Sequence, residues 1–227
     1  MKGCLVAVGI LVGIVVLVVV FVLSGFQHIH VRYRVTVEVQ DGEQIRMGSS
    51  IIDASYDIEP DYVTWSGPNT YVRVEGYAPT VDLGEKGLLF LTFQDAERTV
   101  DEMTERNEQW RCVFGDIGCL PSAAYRTPII NRPFSERKTT LEQLLRQSGP
   151  REVPFIVLPR LVRFRDVDGG HKLVPVSPND LAASFGPGLQ LKRVTLELAN
   201  DPITPMPPIW PQWLKESAKR YVGILEG

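Results

Sequence analysis

From Leu5 to Leu23 the chain carries no charged side chain (LVAVGILVGIVVLVVVFVL). A helix of that length rises about 28 Å at roughly 1.5 Å per residue, enough to cross the hydrocarbon core of a bilayer. Met1 and Lys2 make a short positive start, and Val22 and Ser24 are small enough to precede a cleavage site at Gly25. The apolar core of a cleaved signal, however, is about 7–15 residues, shorter than Leu5–Leu23. The expectation is therefore an uncleaved signal-anchor helix over 5–23 within a membrane segment 1–25. A lipoprotein is excluded, because Cys4 precedes the apolar run.

Charge alone leaves orientation open: Lys2 stands on one side, Arg32, Arg34 and Arg46 on the other. The few residues before the helix form no domain, and anchors of this shape translocate the chain on their C-terminal side. The expectation is a single-pass protein of the inner membrane, its partner there the lipid bilayer, with residues 26–227 on the outer, periplasmic side.

Those roughly 200 residues suffice for a real core. A net charge of −3 gives no basis for nucleic-acid binding, which calls for a basic surface. Cys112 and Cys119 flank CVFGDIGC. In an oxidising compartment they can close a disulfide worth about 2–3 kcal/mol; the alternative is two free buried thiols. With no nearby histidine the pair is not a zinc pattern.

Val31, Tyr33, Val35, Val37 and Val39 alternate with Arg32, Arg34, Thr36 and Glu38, the pattern of a half-buried strand. Asp41-Gly42 predicts a type I′ turn. In the return strand the apolar phase shifts after Ile51, which predicts a bulge. Tyr71–Tyr77 and Leu88–Phe93 read as strands, the second apolar on both faces and so central. Gln94–Arg111 reads as a solvated helix or an excursion. Thr139-x-x-Glu142 has the spacing of a capping box before Leu141, Leu144 and Leu145. Phe155–Phe164 reads as a strand with an internal Pro159, joined through Asp168-Gly169-Gly170 to a partner around Leu173–Val176. Ser177–Asp180 caps a short helix ended by Gly186-Pro187. Leu189–Leu198 is a last strand whose phase slips between Leu191 and Val194. Trp210, Leu214, Tyr221 and Leu225 fall on one helical face. The fold class is mainly β (α+β): one sandwich- or barrel-like domain of about eight strands with two or three short helices.

Candidate chemistry is sparse. His28-x-His30 is half a metal site at best, with no ligand beside it. Asp57, Glu59 and Asp61 form an acidic loop near Trp65 and Tyr71, as in a glycosidase cleft, but also as in any solvated loop. Asp166-x-Asp168-Gly169 lacks the remaining positions of a calcium loop. No nucleophile elbow, phosphate loop or zinc-protease motif is present. No catalytic residue, metal or cofactor is assigned. Gly9-x-x-x-Gly13 within the anchor is a small-residue pattern that lets two helices pair.

Two segments, HVRYRVTVEVQDGEQIRMGSSIIDASY and PNDLAASFGPGLQLKRVTLELANDPIT, resemble single-pass bacterial proteins of uncharacterised activity, in which an apolar helix precedes a β-rich domain. The resemblance implies an inner-membrane setting and no activity. The functional expectation is a non-enzymatic envelope protein presenting a β-rich interaction domain near the bilayer, with other envelope proteins or itself as partner. The alternative is a membrane-tethered hydrolase acting on envelope glycans or esters.

Overall fold

The computed structural model describes residues 11–16, 25–60, 70–93, 116–127, 134–167, 170–216 and 225. Over them the chain is mainly β, with two antiparallel sheets and a few short helices. Residues 11–16 are helical with exposed aliphatic side chains. Among the described residues no helix is long and apolar enough to cross a membrane. The rest of Leu5–Leu23, Gly9 included, lies outside them, as does Gln94–Arg111.

The strands are β1 (Gln27–Asp41), β2 (Gln44–Ile58), β3 (Thr70–Glu75), β4 (Thr80–Asp82), β5 (Leu88–Leu91), β6 (Arg151–Glu152), β7 (Leu161–Val167), β8 (Gly170–Val176) and β9 (Leu189–Leu198). The first sheet runs β3-β2-β1-β9-β6 and the second β4-β5-β7-β8. Against about eight expected, two of these, β4 and β6, are not among the strands read from the sequence; at three and two residues they are too short for alternation to show. After Gly25 the described residues hold four helices, α1 (Leu120–Ala124), α2 (Phe134–Leu145), α3 (Ala182–Phe185) and α4 (Gln212–Glu216), where two or three were expected.

The alternation in β1 does what it predicts: Val31, Tyr33, Val35, Val37 and Val39 are all buried, each worth about 1.5–3 kcal/mol by removal from water. They share one core with Val81, Leu89 and Leu91 of the second sheet, and with Leu161 and Val176 from β7 and β8. The sheets meet where β4 crosses β2. A Cβ on Gly48 would lie 2.0 Å from the Thr80 carbonyl oxygen, so only glycine admits that crossing. The opposite face of the second sheet has its own core of Phe90, Val162, Trp210, Leu214 and Leu225. Trp210 Nε1 donates to Thr80 Oγ1 at 2.9 Å, and Leu225 O accepts from Ala78 N at 2.8 Å, tying the C-terminal segment down. Tyr221 lies outside the described residues.

Several local expectations are corrected. β1 and β2 pair without a break from Gln27↔Ile58 to Asp41↔Gln44, so β2 has no bulge against β1. Its phase shift arises because residues from Ile51 to Ala54 are buried on both faces. The hairpin loop is Gly42-Glu43, and only Gly42 has a positive φ, 60°; a type I′ turn needs two. Thr139 lies inside α2, where its hydroxyl donates to Ser135 O at 3.1 Å instead of capping an end. The helix starts further upstream, where Arg137 is fully buried and donates to Glu59 O at 3.2 Å. Phe155–Val157 is a 3-10 turn because Pro154 and Pro159 bracket it, and the strand begins only at Leu161. The slip in β9 is a genuine bulge: Glu38 pairs with Arg193 and Val39 with Leu191, leaving Lys192 as the extra residue.

Candidate interaction surfaces

Even-numbered residues of β1 point to the outer face of the first sheet. The end of that face at the start of β1 gathers three residues that the sequence sets apart, His28, His30 and Asp57. The His28 ring is hydrogen-bonded through Nδ1 to Asp57, whose other carboxylate oxygen accepts from Arg73 at 2.7 Å. Asp53 likewise holds His30 Nδ1 at 3.1 Å and Arg32 at 2.9 Å. The two imidazoles meet edge to face at 4.6 Å. Further along, Arg34 pairs with Asp201 at 2.8 Å and Glu38 with Arg193 at 2.8 Å.

These contacts define what the face can do. The hydrogen bond from His28 and the Arg73 guanidinium hold the Asp57 carboxyl below the usual carboxylate range. A general acid needs the opposite displacement. Ser55, His30 and Asp53 do come together, but Ser55 Oγ lies 3.4 Å from the same Nδ1 that faces Asp53. A nucleophile relay needs the hydroxyl and the carboxylate on opposite ring nitrogens. An open cleft of about 590 Å³ adjoins the pair, lined by Phe26, His28, Ile58, Glu59, Val72 and Arg73. Of the acidic loop, Asp57 and Glu59 reach this cleft; Asp61 and Trp65 lie outside the described residues. No group of three or more histidine, cysteine or acidic side chains is placed to hold a metal ion among the described residues.

Behind this sheet, Tyr33 and Tyr56 donate to the carbonyls of Ile117 at 2.7 Å and Gly118 at 2.5 Å. Burial raises both phenols, and it also raises the carboxyl of Asp116, which accepts from Gly118 N at 2.8 Å. A Cβ on Gly118 would meet Val72 Cγ1 at 2.7 Å. The turn fixed in this way presents Cys119, which is disulfide-bonded; Cys112 lies outside the described residues. At Gly13 a Cβ would meet nothing within 4 Å.

The hairpin of β7 and β8 differs. Its register sets Arg165 directly opposite Lys172 and Arg163 opposite Val174, so the three cations share one face. Like charges directly opposite cost roughly 0.2–1 kcal/mol. None of the three forms an ion pair among the described residues, and the Arg163 guanidinium lies over the Phe185 ring at 4.7 Å. On the other face Asp166 holds His171 at 2.6 Å, and that imidazole stacks on Trp213 at 3.5 Å. Asp166 thus serves the hairpin instead of a calcium loop; Asp168 and Gly169 lie outside the described residues. Sequence reading finds the hairpin and misses its charge, although the register is dictated once the turn is placed. Comparison with known protein families, curated proteins and solved structures gives no match for this chain.

Proposed function

We propose that the chain is a single-pass envelope protein, held in the inner membrane through residues 5–23, whose two-sheet, sandwich-like domain binds another protein on the periplasmic side. The observation that carries the interaction reading is the β8 edge: a strand with no outer neighbour among the described residues, beside cations that no acid among them balances. Exposed edges of this kind are where sheets accept partners. The anchor rests on the uncharged run and on exposed aliphatic side chains at residues 11–16, such as Leu11 and Ile14. β1 begins at Gln27, close enough to hold the domain against the bilayer. Export also provides the oxidising setting in which Cys119 would bridge to Cys112. The hydrolase reading has less support, since Asp57 is tied to His28 and Arg73.

A reporter active only outside the cytoplasm, fused after Gly227, tests the placement. Activity is expected; activity of a cytoplasm-only reporter instead would overturn both the export and the Cys112–Cys119 bridge.

A further inference from the structure

Pro175 pairs with Val162 of β7 yet has no N–H to donate, so its backbone faces away from β7. Alternation turns Leu173 and His171 outward with it. The free side of β8 therefore offers the N–H groups of Leu173 and His171 and the carbonyls of all three residues. Beside that edge stand Lys172, Arg165 and Arg163. The Nε of Arg163 is buried without an acceptor.

Pro175 and Lys172 alone would guard an edge against unwanted pairing. Guarding does not call for Arg165 across from Lys172, because that pair opposes the hairpin that carries it. An anion laid along the face turns the same arrangement favourable. We propose that β8 accepts an extended acidic segment of a partner protein as an added strand. Main-chain bonds go to His171 and Leu173, and carboxylates on alternate residues, about 6.7 Å apart, lie against the cations. A second copy of this chain is the wrong occupant, since pairing β8 with β8 sets three cations against three. The inference rests on the interaction-domain reading and names its partner.

The test uses the full chain in detergent micelles and two labelled synthetic peptides, one alternating Glu with Val and one alternating Lys with Val. Fluorescence anisotropy is expected to give binding of the Glu peptide roughly tenfold or more tighter than the Lys peptide, weakening with salt. The double variant Arg165→Glu/Lys172→Glu should invert the preference. The exposed positions of both residues keep that variant folded. Amide exchange should slow at His171 and Leu173 on adding the Glu peptide. A preference that does not invert overturns the proposal. So does inorganic polyphosphate binding as well as the peptide with no protection of those amides, which would mean a patch for anions and not an acceptor for a strand. Photo-crosslinkers placed on both sheets in cells separate the two levels. Capture through a non-acidic segment overturns this inference and leaves the broader reading standing; no captured partner from either sheet overturns the reading itself.

Discussion

On the outer face of the five-stranded sheet each charged side chain of β1 meets its opposite: His28 and Arg73 at Asp57, His30 and Arg32 at Asp53, Arg34 at Asp201, Glu38 at Arg193. On the β7–β8 hairpin Arg165 meets Lys172, and neither meets an acid among the described residues. The first face is closed upon itself. Any new ligand there must break an existing pair before making its own, and two of the acids that hold those pairs, Asp53 and Glu38, are buried. The second face has no ion pair to break among the described residues. The difference teaches that charge which is satisfied internally shapes a sheet, whereas charge left unsatisfied shapes what can join it.

Four sets of changes would break or sharpen that contrast. The largest effect is expected where the two sheets touch. Gly48→Ala drives a Cβ into the Thr80 carbonyl and should cost about 3 kcal/mol or more, read as a shift in chemical-denaturation midpoint. An unchanged midpoint would mean the sheets are not locked there, and the two faces would have no fixed relation. Next come Tyr33→Phe and Tyr56→Phe, each stranding a buried carbonyl and expected to cost roughly 1–3 kcal/mol. Their double variant should fall short of the sum, because the accepting carbonyls belong to adjacent residues.

The third concerns Asp116. Burial raises its carboxyl in the folded state. The unfolded chain therefore loses that proton first as pH rises. Stability held below the ordinary carboxylate range should decline as pH climbs through the raised value. Asp116→Asn, which keeps an acceptor for Gly118 N, should flatten that decline in denaturant titrations run across pH. A variant that leaves the slope intact would relocate the effect. Asp57 works in the reverse sense: its lowered carboxyl adds stability present above the usual range and lost as pH falls below it.

The smallest change sharpens the comparison most. Arg165→Glu converts the opposed cations into an opposite-charge pair and should stabilise the domain by roughly 0.2–1 kcal/mol. Removing Asp53, a buried acceptor for His30 and Arg32, should instead destabilise it, by about 1–3 kcal/mol. Opposite signs on the two faces are the expected result, measured as changes in melting temperature.

How much of the fold is legible in the sequence depends on the range of the interactions. The alternation of β1, the limits of β9 and its bulge, and the β7–β8 hairpin are all written in near neighbours. What escapes is set by distant ones. Arg137 draws α2 back beyond Thr139 because it packs beneath Glu59. Ile51 is buried on its outer side because the segment after β9 folds over it, with Thr204 Oγ1 accepting from Ile51 N at 2.8 Å. No periodicity within β2 encodes that cover. On the first sheet, His28 and Asp57 each stand out in the sequence, but their meeting needs the register of a 15-residue pairing. The basic face of the second sheet is within reach, because once Val167 is set opposite Gly170 the register dictates that 165 faces 172.

The extra residue in β9 gives the strand two reading frames. Before Lys192, Leu189 and Leu191 point inward; after it, Val194 and Leu196 do, one position out of step. Lys192 is the spacer between them. Deleting it would join the two frames into one unbroken alternation, with Leu189, Leu191, Val194 and Leu196 still paired to Asp41, Val39, Val37 and Val35. In a laboratory scan of single-residue deletions, Lys192 and its neighbour Arg193 should therefore be tolerated, whereas a deletion between Val194 and Leu196 throws the alternation out of step and should behave like the loss of a core position.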